Sequence, residues 1–145
     1  MIWYNDILPD VEAANAMGAN TLVEALDIRI EAIDEDSITG SMPVDHRTHQ
    51  PYGILHGGAS VALAETLGST GAALTVDVTR YRVVGLDINS NHVRSVRDGR
   101  VTAVATPFHV GRTTQVWSIE QRDQRGKLTC VSRLTMAIID SRAGQ

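Results

Sequence analysis

Glu65 is the single charged residue in the run Gly-Gly-Ala-Ser-Val-Ala-Leu-Ala-Glu-Thr-Leu-Gly-Ser-Thr-Gly-Ala-Ala-Leu, residues 57–74. Val61 and Ala62 precede it by one helical turn and Ser69 follows by one. A carboxylate in apolar surroundings is costly unless hydrogen-bond donors offset its desolvation. Two placements fit: the one exposed stripe of a helix, or a dry pocket where the carboxylate serves as general base or nucleophile. His56-Gly57-Gly58 opens the same run. No Ser, Thr, Asp or Asn occupies the obvious cap position, so the first N–H groups of a helix starting here are expected to lack a side-chain acceptor. The glycines either permit tight packing or let a ligand approach the backbone. Free N–H groups at the positive end of the helix dipole suit an oxyanion or a carbonyl oxygen.

Spacing constrains how these groups can cooperate. Gly57 and Glu65 are eight residues apart, roughly 12 Å along a helix at 1.5 Å per residue. A base must come within about 3 Å of the atom it acts on. One helix therefore cannot present both groups to the same carbonyl. Two antiparallel helices related by a two-fold axis can, which predicts two shared sites in a dimer.

The elements that must carry this helix follow from periodicity. Residues 10–17 read as a short helix capped by Asp10. From Leu22 onward, Leu26, Ile28 and Ile30 alternate with Asp27, Arg29 and Glu31, the pattern of a half-buried strand. Asp34-Glu35-Asp36 is a turn, and Ser37–Pro43 the return strand. Residues 45–55 form an ordered loop, and 57–74 a long buried helix. Strands are expected near 84–96, 100–108, 113–122 and 127–139, with tight turns at Asp98-Gly99 and Gly126. The order predicts an α+β fold, one antiparallel sheet wrapped around one long buried helix. A helix apolar on nearly every side also needs cover from a second copy.

At 145 residues the chain is one domain, long enough to bury its own core. Its 43% hydrophobic and 21% charged residues are those of a globular protein. The net charge of −4 argues against nucleic acid as a partner. That average hides a split. Residues 1–45 hold ten acids against Arg29, whereas residues 80–112 hold Arg80, Arg82, Arg94, Arg97, Arg100 and Arg112 against Asp87 and Asp98. Guanidinium groups suit forked recognition of phosphate or carboxylate, although a solvated face explains such a cluster equally. No apolar run reaches the roughly 20 residues of a membrane span, and the start shows no export signal. A cytoplasmic protein without a membrane partner is expected. Cys130 is the only cysteine, which leaves no internal disulfide and no cysteine-based zinc cluster; it reads as a core residue. His46, His49 and His56 show no firm ligand pattern, so no metal is expected.

The run Gln50-Pro51-Tyr52-Gly53-Ile54-Leu55-His56-Gly57-Gly58-Ala59-Ser60, followed by Ala64-Glu65-Thr66-Leu67-Gly68-Ser69, resembles the hotdog-fold acyl-CoA thioesterases. Within these it is most similar to the bacterial aryl-CoA group of the 4-hydroxybenzoyl-CoA class, which includes enzymes for 1,4-dihydroxy-2-naphthoyl-CoA and the enterobactin proofreading thioesterases. Val84–Asn89, Asn91–Ser95, Gly99–Val101, Gln115–Trp117 and Ser132–Thr135 extend the likeness over about residues 20–139.

The resemblance implies a single hotdog domain over residues 1–145 that hydrolyses an acyl-CoA, with CoA part of the substrate and no other cofactor. It implies Glu65 as the carboxylate that attacks the thioester or activates water, and Gly57 N–H as donor to the thioester oxygen. His56 would orient or polarise that carbonyl, Gln50 would position water or the acyl group, and Ser69 would line the pocket. CoA contacts map to Gly85, to His92, Val93, Arg94 and Ser95, and to His109, Val110, Gly111, Arg112, Thr113 and Thr114. Arg94 and Arg112 are the expected phosphate ligands. The family implies a homo-oligomer, commonly a tetramer. Two other readings stay open: a thioesterase for carrier-protein-bound acyl groups, and a non-catalytic acyl-CoA-binding hotdog domain.

Overall fold

A computed structural model describes residues 1–143. After a 3₁₀ turn at Tyr4–Asp6, the elements are α1 (Val11–Ala16), α2 (Leu22–Ala25), β1 (Arg29–Ile33), β2 (Ile38–Pro43), α3 (Gly57–Leu74), β3 (Tyr81–His92), β4 (Arg100–Val110), β5 (Thr114–Arg122) and β6 (Leu128–Asp140). The strands make one antiparallel sheet in the order β1-β2-β4-β5-β6-β3. The α+β architecture of one sheet around one long helix is as the sequence predicts.

Strict alternation builds the concave face of the sheet. Val101, Ala103 and Ala105 on β4, Trp117 and Ile119 on β5, and Leu134 and Met136 on β6 are buried against Leu63, Ala64, Leu67 and Ala72 of α3. Each leucine so buried contributes about 1.5–3 kcal/mol of transfer free energy. Two buried glutamines on β5 hold the two ends of this helix. Gln121 Nε2 donates to the Ser60 carbonyl at 2.7 Å, and Gln115 Nε2 donates to Thr75 Oγ1 at 2.7 Å. Trp117 Nε1 in turn donates to Gln115 Oε1. The helix is thus fixed along its length as well as in its packing face.

Several expectations need correcting. The segment from Leu22 does not begin as a strand: Thr21 Oγ1 accepts from Val23 N–H and starts a helical turn. Asp27 then takes a left-handed conformation at φ 51°, and only from Arg29 does the chain extend. The alternation at Ile28 and Ile30 was real, since both are buried, but it covers half the expected length. β3 runs Tyr81–His92 rather than 84–96, because Val93 and Arg94 N–H groups turn to the Thr129 carbonyl. By contrast, and as expected of a helix that needs cover beyond its own sheet, α3 is not enclosed on every side within one chain. Val61, Ala62, Glu65, Thr66, Ser69, Thr70 and Ala73 form a half-buried stripe away from the main core.

Other local readings agree. Asp10 Oδ1 caps α1 by accepting from Ala13 N–H at 2.7 Å. Gly99 and Gly126 have φ of 78° and 76° in their turns, a region that favours glycine. Cys130 is buried, and burial pushes its thiol pKa up. Edge strand β1 is sealed by a side chain: the Asn15 carboxamide donates to the Ile30 carbonyl and accepts from Ile30 N–H, both at 2.8 Å. No helix among the described residues is long and apolar enough to cross a membrane.

Candidate active site

Glu65 lies at the middle of α3 on the half-buried stripe. Ser69, one turn on, donates its hydroxyl to Glu65 Oε1 at 3.2 Å. From the other side strand β3 passes so closely that a Cβ added to Gly85 would stand 2.6 Å from Oε1. A bulge in the pairing of β3 with β6 between Gly85 and Asp87 shapes the strand there. Gly85, expected as a CoA contact, is therefore first of all the notch that receives the Glu65 carboxylate.

A second group surrounds the start of α3. The cap expectation fails here: His56 is itself the N-cap, its Nδ1 accepting from Gly58 N–H at 2.8 Å. A nitrogen that accepts is unprotonated, so the neutral ring carries its proton on Nε2 and offers a donor there. Gly57 N–H, by contrast, finds no acceptor among the described residues. His92 lies beside the Gly57 Cα: a Cβ on Gly57 would meet His92 Nε2 at 3.0 Å. Gln50 is held by its own turn, its Oε1 accepting from Tyr52 N–H, which leaves its amide nitrogen to point elsewhere. The loop is tied down by Leu55 N–H to the Val96 carbonyl and His56 N–H to the Thr48 carbonyl.

A cavity of about 380 Å³ joins these residues: Gln50, Ile54, Leu55, Gly57, Ser60, His92, Val93, Arg94, Ser95 and Thr129 line it. Glu65 does not. Within one chain the structure brings together Gln50, Gly57 and the His92–Ser95 segment, and separately Glu65, Ser69 and Gly85. It does not join the two sets.

The third predicted segment sits elsewhere again. Val110, Gly111 and Arg112 line a cavity of about 390 Å³ with Tyr4, Asp77, Tyr81 and Ile138, near Thr75 at the far end of α3. His109 lies near the end of β4, Thr114 opens β5 and Thr113 stands between them; the Thr114 carbonyl accepts from Gly111 N–H and the Thr113 carbonyl from Ile138 N–H. The Thr79 hydroxyl and N–H, foremost among the causes, hold the Asp77 carboxyl below its ordinary range. The arginines of residues 80–112 also divide. Arg80 pairs with Asp140, and Arg100 with Asp27, so neither is spare. Arg94 and Arg112 enter no ion pair among the described residues.

Sequence reading missed Gln115 and Gln121, which set the position of α3 and hence of Gly57 and Glu65. The signal was present: both fall on the apolar phase of β5 with Trp117 and Ile119, where a polar residue must be satisfied by something specific.

Residues 52–130 match the sequence profile of the thioesterase superfamily. The chain belongs to that family. It is 53% identical over 139 residues to the 1,4-dihydroxy-2-naphthoyl-CoA hydrolase of Escherichia coli strain K12, covering 96% of this chain and 100% of that one. It is 46% identical over 139 residues to the proofreading thioesterase EntH of Cronobacter turicensis, covering 96% and 99%. Among solved structures, a mutant thioesterase from Pseudomonas aeruginosa superposes with a TM-score of 0.93 at 52% identity, covering 97% of this chain and 99% of that one. The fold is thus that of the hotdog thioesterases, and thioester hydrolysis is this thioesterase's activity. Glu65, Gly57, His56 and the loop from Tyr52 all fall within the matched residues.

Proposed function

We propose that the protein is an acyl-CoA thioesterase with a preference for aromatic acyl groups, working as a homodimer with two sites, each built from both chains. One observation carries this reading: the free Gly57 N–H and the Glu65 carboxylate are eight residues apart on one straight helix and line no common cavity in the single chain. Antiparallel pairing of two α3 stripes would bring Glu65 of one copy to Gly57 of the other. The likeness to a hydrolase named for 1,4-dihydroxy-2-naphthoyl-CoA supports the aromatic preference, as does the apolar lining of Ile54, Leu55 and Val93 in the Gly57 cavity.

In this reaction the thioester oxygen accepts from Gly57 N–H, at the positive end of α3, where charge develops as the carbonyl carbon becomes tetrahedral. His56, with its proton on Nε2, adds a donor at the same end. Glu65 either attacks the carbonyl carbon, expelling the CoA thiolate to give a mixed anhydride that water then cleaves, or takes a proton from the water that attacks. In the second case a C–O bond forms, the C–S bond breaks, and the CoA thiolate leaves and is protonated as the acid is released. A thioester is electrophilic enough that a carboxylate and an oxyanion hole suffice. Gln50 lines the cavity with its Oε1 already taken by Tyr52 N–H, so its Nε2 is the group that would donate to water or to a polar acyl substituent.

The decisive measurement is steady-state hydrolysis of aryl-, phenylacetyl- and short-chain acyl-CoAs by wild type and Glu65→Gln. Removal of a general base costs about 10²–10⁴-fold in kcat, and the variant is expected to bind acyl-CoA with unchanged affinity. A variant that retains most of the wild-type kcat would exclude Glu65 from the chemistry. Equal kcat/KM for aryl and short-chain esters would exclude the aromatic preference.

A further inference from the structure

Between α3 and the sheet, glycines mark the places where one side chain fills a gap that two would usually share. Gly40 of β2 faces Leu67, and a Cβ there would stand 2.6 Å from Leu67 Cδ2. On the helix itself, a Cβ at Gly68 would stand 2.5 Å from Leu134 Cδ2 of β6, and one at Gly71 would stand 2.8 Å from Trp117 Cη2 of β5. None of these contacts has room for a methyl group. The fourth of the kind is the Gly85 notch that receives Glu65. Apolar side chains fill three seats, and a carboxylate fills the fourth.

Two of these seats weaken the helix that carries them. Glycine is the poorest helix former after proline, so Gly68 and Gly71 inside α3 cost it stability relative to alanine. What they give is depth: both are buried and, three residues apart, they share the face turned to the sheet. The groups opposite are firm. Trp117 and Leu134 are fully buried and stand directly across from each other on β5 and β6. Trp117 Nε1 donates to Gln115, whose amide donates in turn to Thr75 at the end of α3. The Gly68 seat is the nearer of the two to the notch. Leu134 and Met136 share a face of β6, Met136 pairs with Gly85 across to β3, and Gly68 lies one turn beyond Glu65.

We infer that Gly68 is a positioning residue for Glu65: its contact with Leu134 sets the depth of α3, and that depth sets how far the Glu65 carboxylate enters the Gly85 notch. Gly68 touches no reacting atom and acts only through the helix. The inference rests on the reading of Glu65 as the reactive carboxylate and adds what holds it in place against β3. A methyl group at residue 68 does two opposed things. It raises the helix propensity of α3, and it lifts the helix from β6, carrying Glu65 and Ser69 outward. Stability and activity therefore separate, whereas a glycine needed only for packing would lose stability first.

Gly68→Ala is expected to keep its Tm, since the gain in helix propensity offsets the strained contact. Its kcat should fall about tenfold with KM little changed, the scale of a displacement of less than an ångström. Gly68→Ala/Leu134→Val tests the cause: valine has no Cδ atom, total volume is nearly conserved, and kcat should return to within about threefold of wild type. A crystal structure of the single variant should show the Glu65 carboxylate withdrawn from Gly85. If Gly68→Ala does not fold, Leu134→Met presses the same seat with a longer chain of similar volume, and kcat should fall about threefold. Wild-type kcat in folded Gly68→Ala, a loss that Leu134→Val does not rescue, or an unmoved carboxylate overturns the inference. Wild-type kcat in Leu134→Met does the same where that variant carries the test. Wild-type kcat in Glu65→Gln would instead overturn the reading of Glu65, while the crystal structure still decides whether Gly68 sets its place.

Discussion

Gly85 and Glu65 meet where β3 crosses α3, at a separation that leaves no space for a methyl group: a Cβ on Gly85 would lie 2.6 Å from the Glu65 Oε1 atom. The obstructing atom is the tip of a flexible side chain rather than backbone. Gly85→Ala is therefore expected to fold normally and to rotate the carboxylate out of place. Because misplacement by an ångström costs about 100-fold, kcat should fall by one to two orders of magnitude with little change in Tm. Wild-type kcat in this variant would show that the notch does not position Glu65.

Sharing of each site between two chains makes a sharper prediction. Gly57 is the first residue of α3, where proline is well accommodated, and His56 at φ −68°, ψ 131° already has the conformation that precedes proline. Gly57→Pro thus deletes the N–H donor while keeping the helix, at a cost in kcat of about 10²–10³-fold. Mixed with equally inactive Glu65→Ala chains and allowed to exchange, half of the dimers carry one intact site. Activity should return to about a quarter of wild type for a two-fold dimer at equal mixing. No recovery after verified exchange would mean that each site comes from one chain.

His56 is predicted to have two separable roles. Its Nδ1 caps α3, and its Nε2–H is free to donate. His56→Asn supplies another cap and should keep stability near wild type, whereas His56→Ala should lose about 1 kcal/mol, the usual worth of a cap. Both remove the Nε2 donor and should lower kcat alike. Denaturant titration alongside kinetics separates the effects; full activity in the asparagine variant would leave His56 with capping alone.

Periodicity was a sufficient guide to the sheet and to α3 because burial on alternate or every third and fourth residue is imposed by the core itself. The strands of the β4–β6 meander and the glycine turns at Gly99 and Gly126 were legible for that reason. The Leu22–Ile30 segment was not, because Thr21 and Asn20 stabilise a helical turn through local hydrogen bonds that hydrophobic alternation does not register. His56 as a cap escaped notice since an imidazole seldom takes that role. Glu65 and Gly57 stood out by type and spacing, but the notch at Gly85 depends on how β3 lies over α3, which no local pattern encodes. The Arg-rich stretch was divided by tertiary contacts: Arg100 is committed to Asp27 and Ser41, and Arg80 to Asp140.

The contacts of Asp27 lead to a prediction about acid stability. Its carboxylate accepts from Arg29 Nε at 2.8 Å and from Arg100 Nη1 at 3.1 Å, while Arg100 also reaches the Asp27 carbonyl and Ser41 Oγ. This ties the turn before β1 to β2 and to the start of β4. Burial acts to raise the Asp27 pKa, but the hydrogen bonds from Arg29 and Arg100 outweigh it and hold the carboxyl below its ordinary range. A depressed folded-state pKa gives stability that is present above the unfolded pKa and is lost as pH falls through the folded one. Asp27→Asn keeps a residue that tolerates the left-handed backbone at φ 51°. It should cost about 1–2 kcal/mol at neutral pH through the weakened charge-assisted bonds. The difference from wild type should then shrink as pH falls below about 4, where Asp27 of the unfolded chain takes up a proton, and level off only once the folded carboxyl is protonated at its lower pKa. Denaturant midpoints measured from pH 7 to pH 2 test this; a difference that stays constant across that range would show that the charge of Asp27 does not hold the turn.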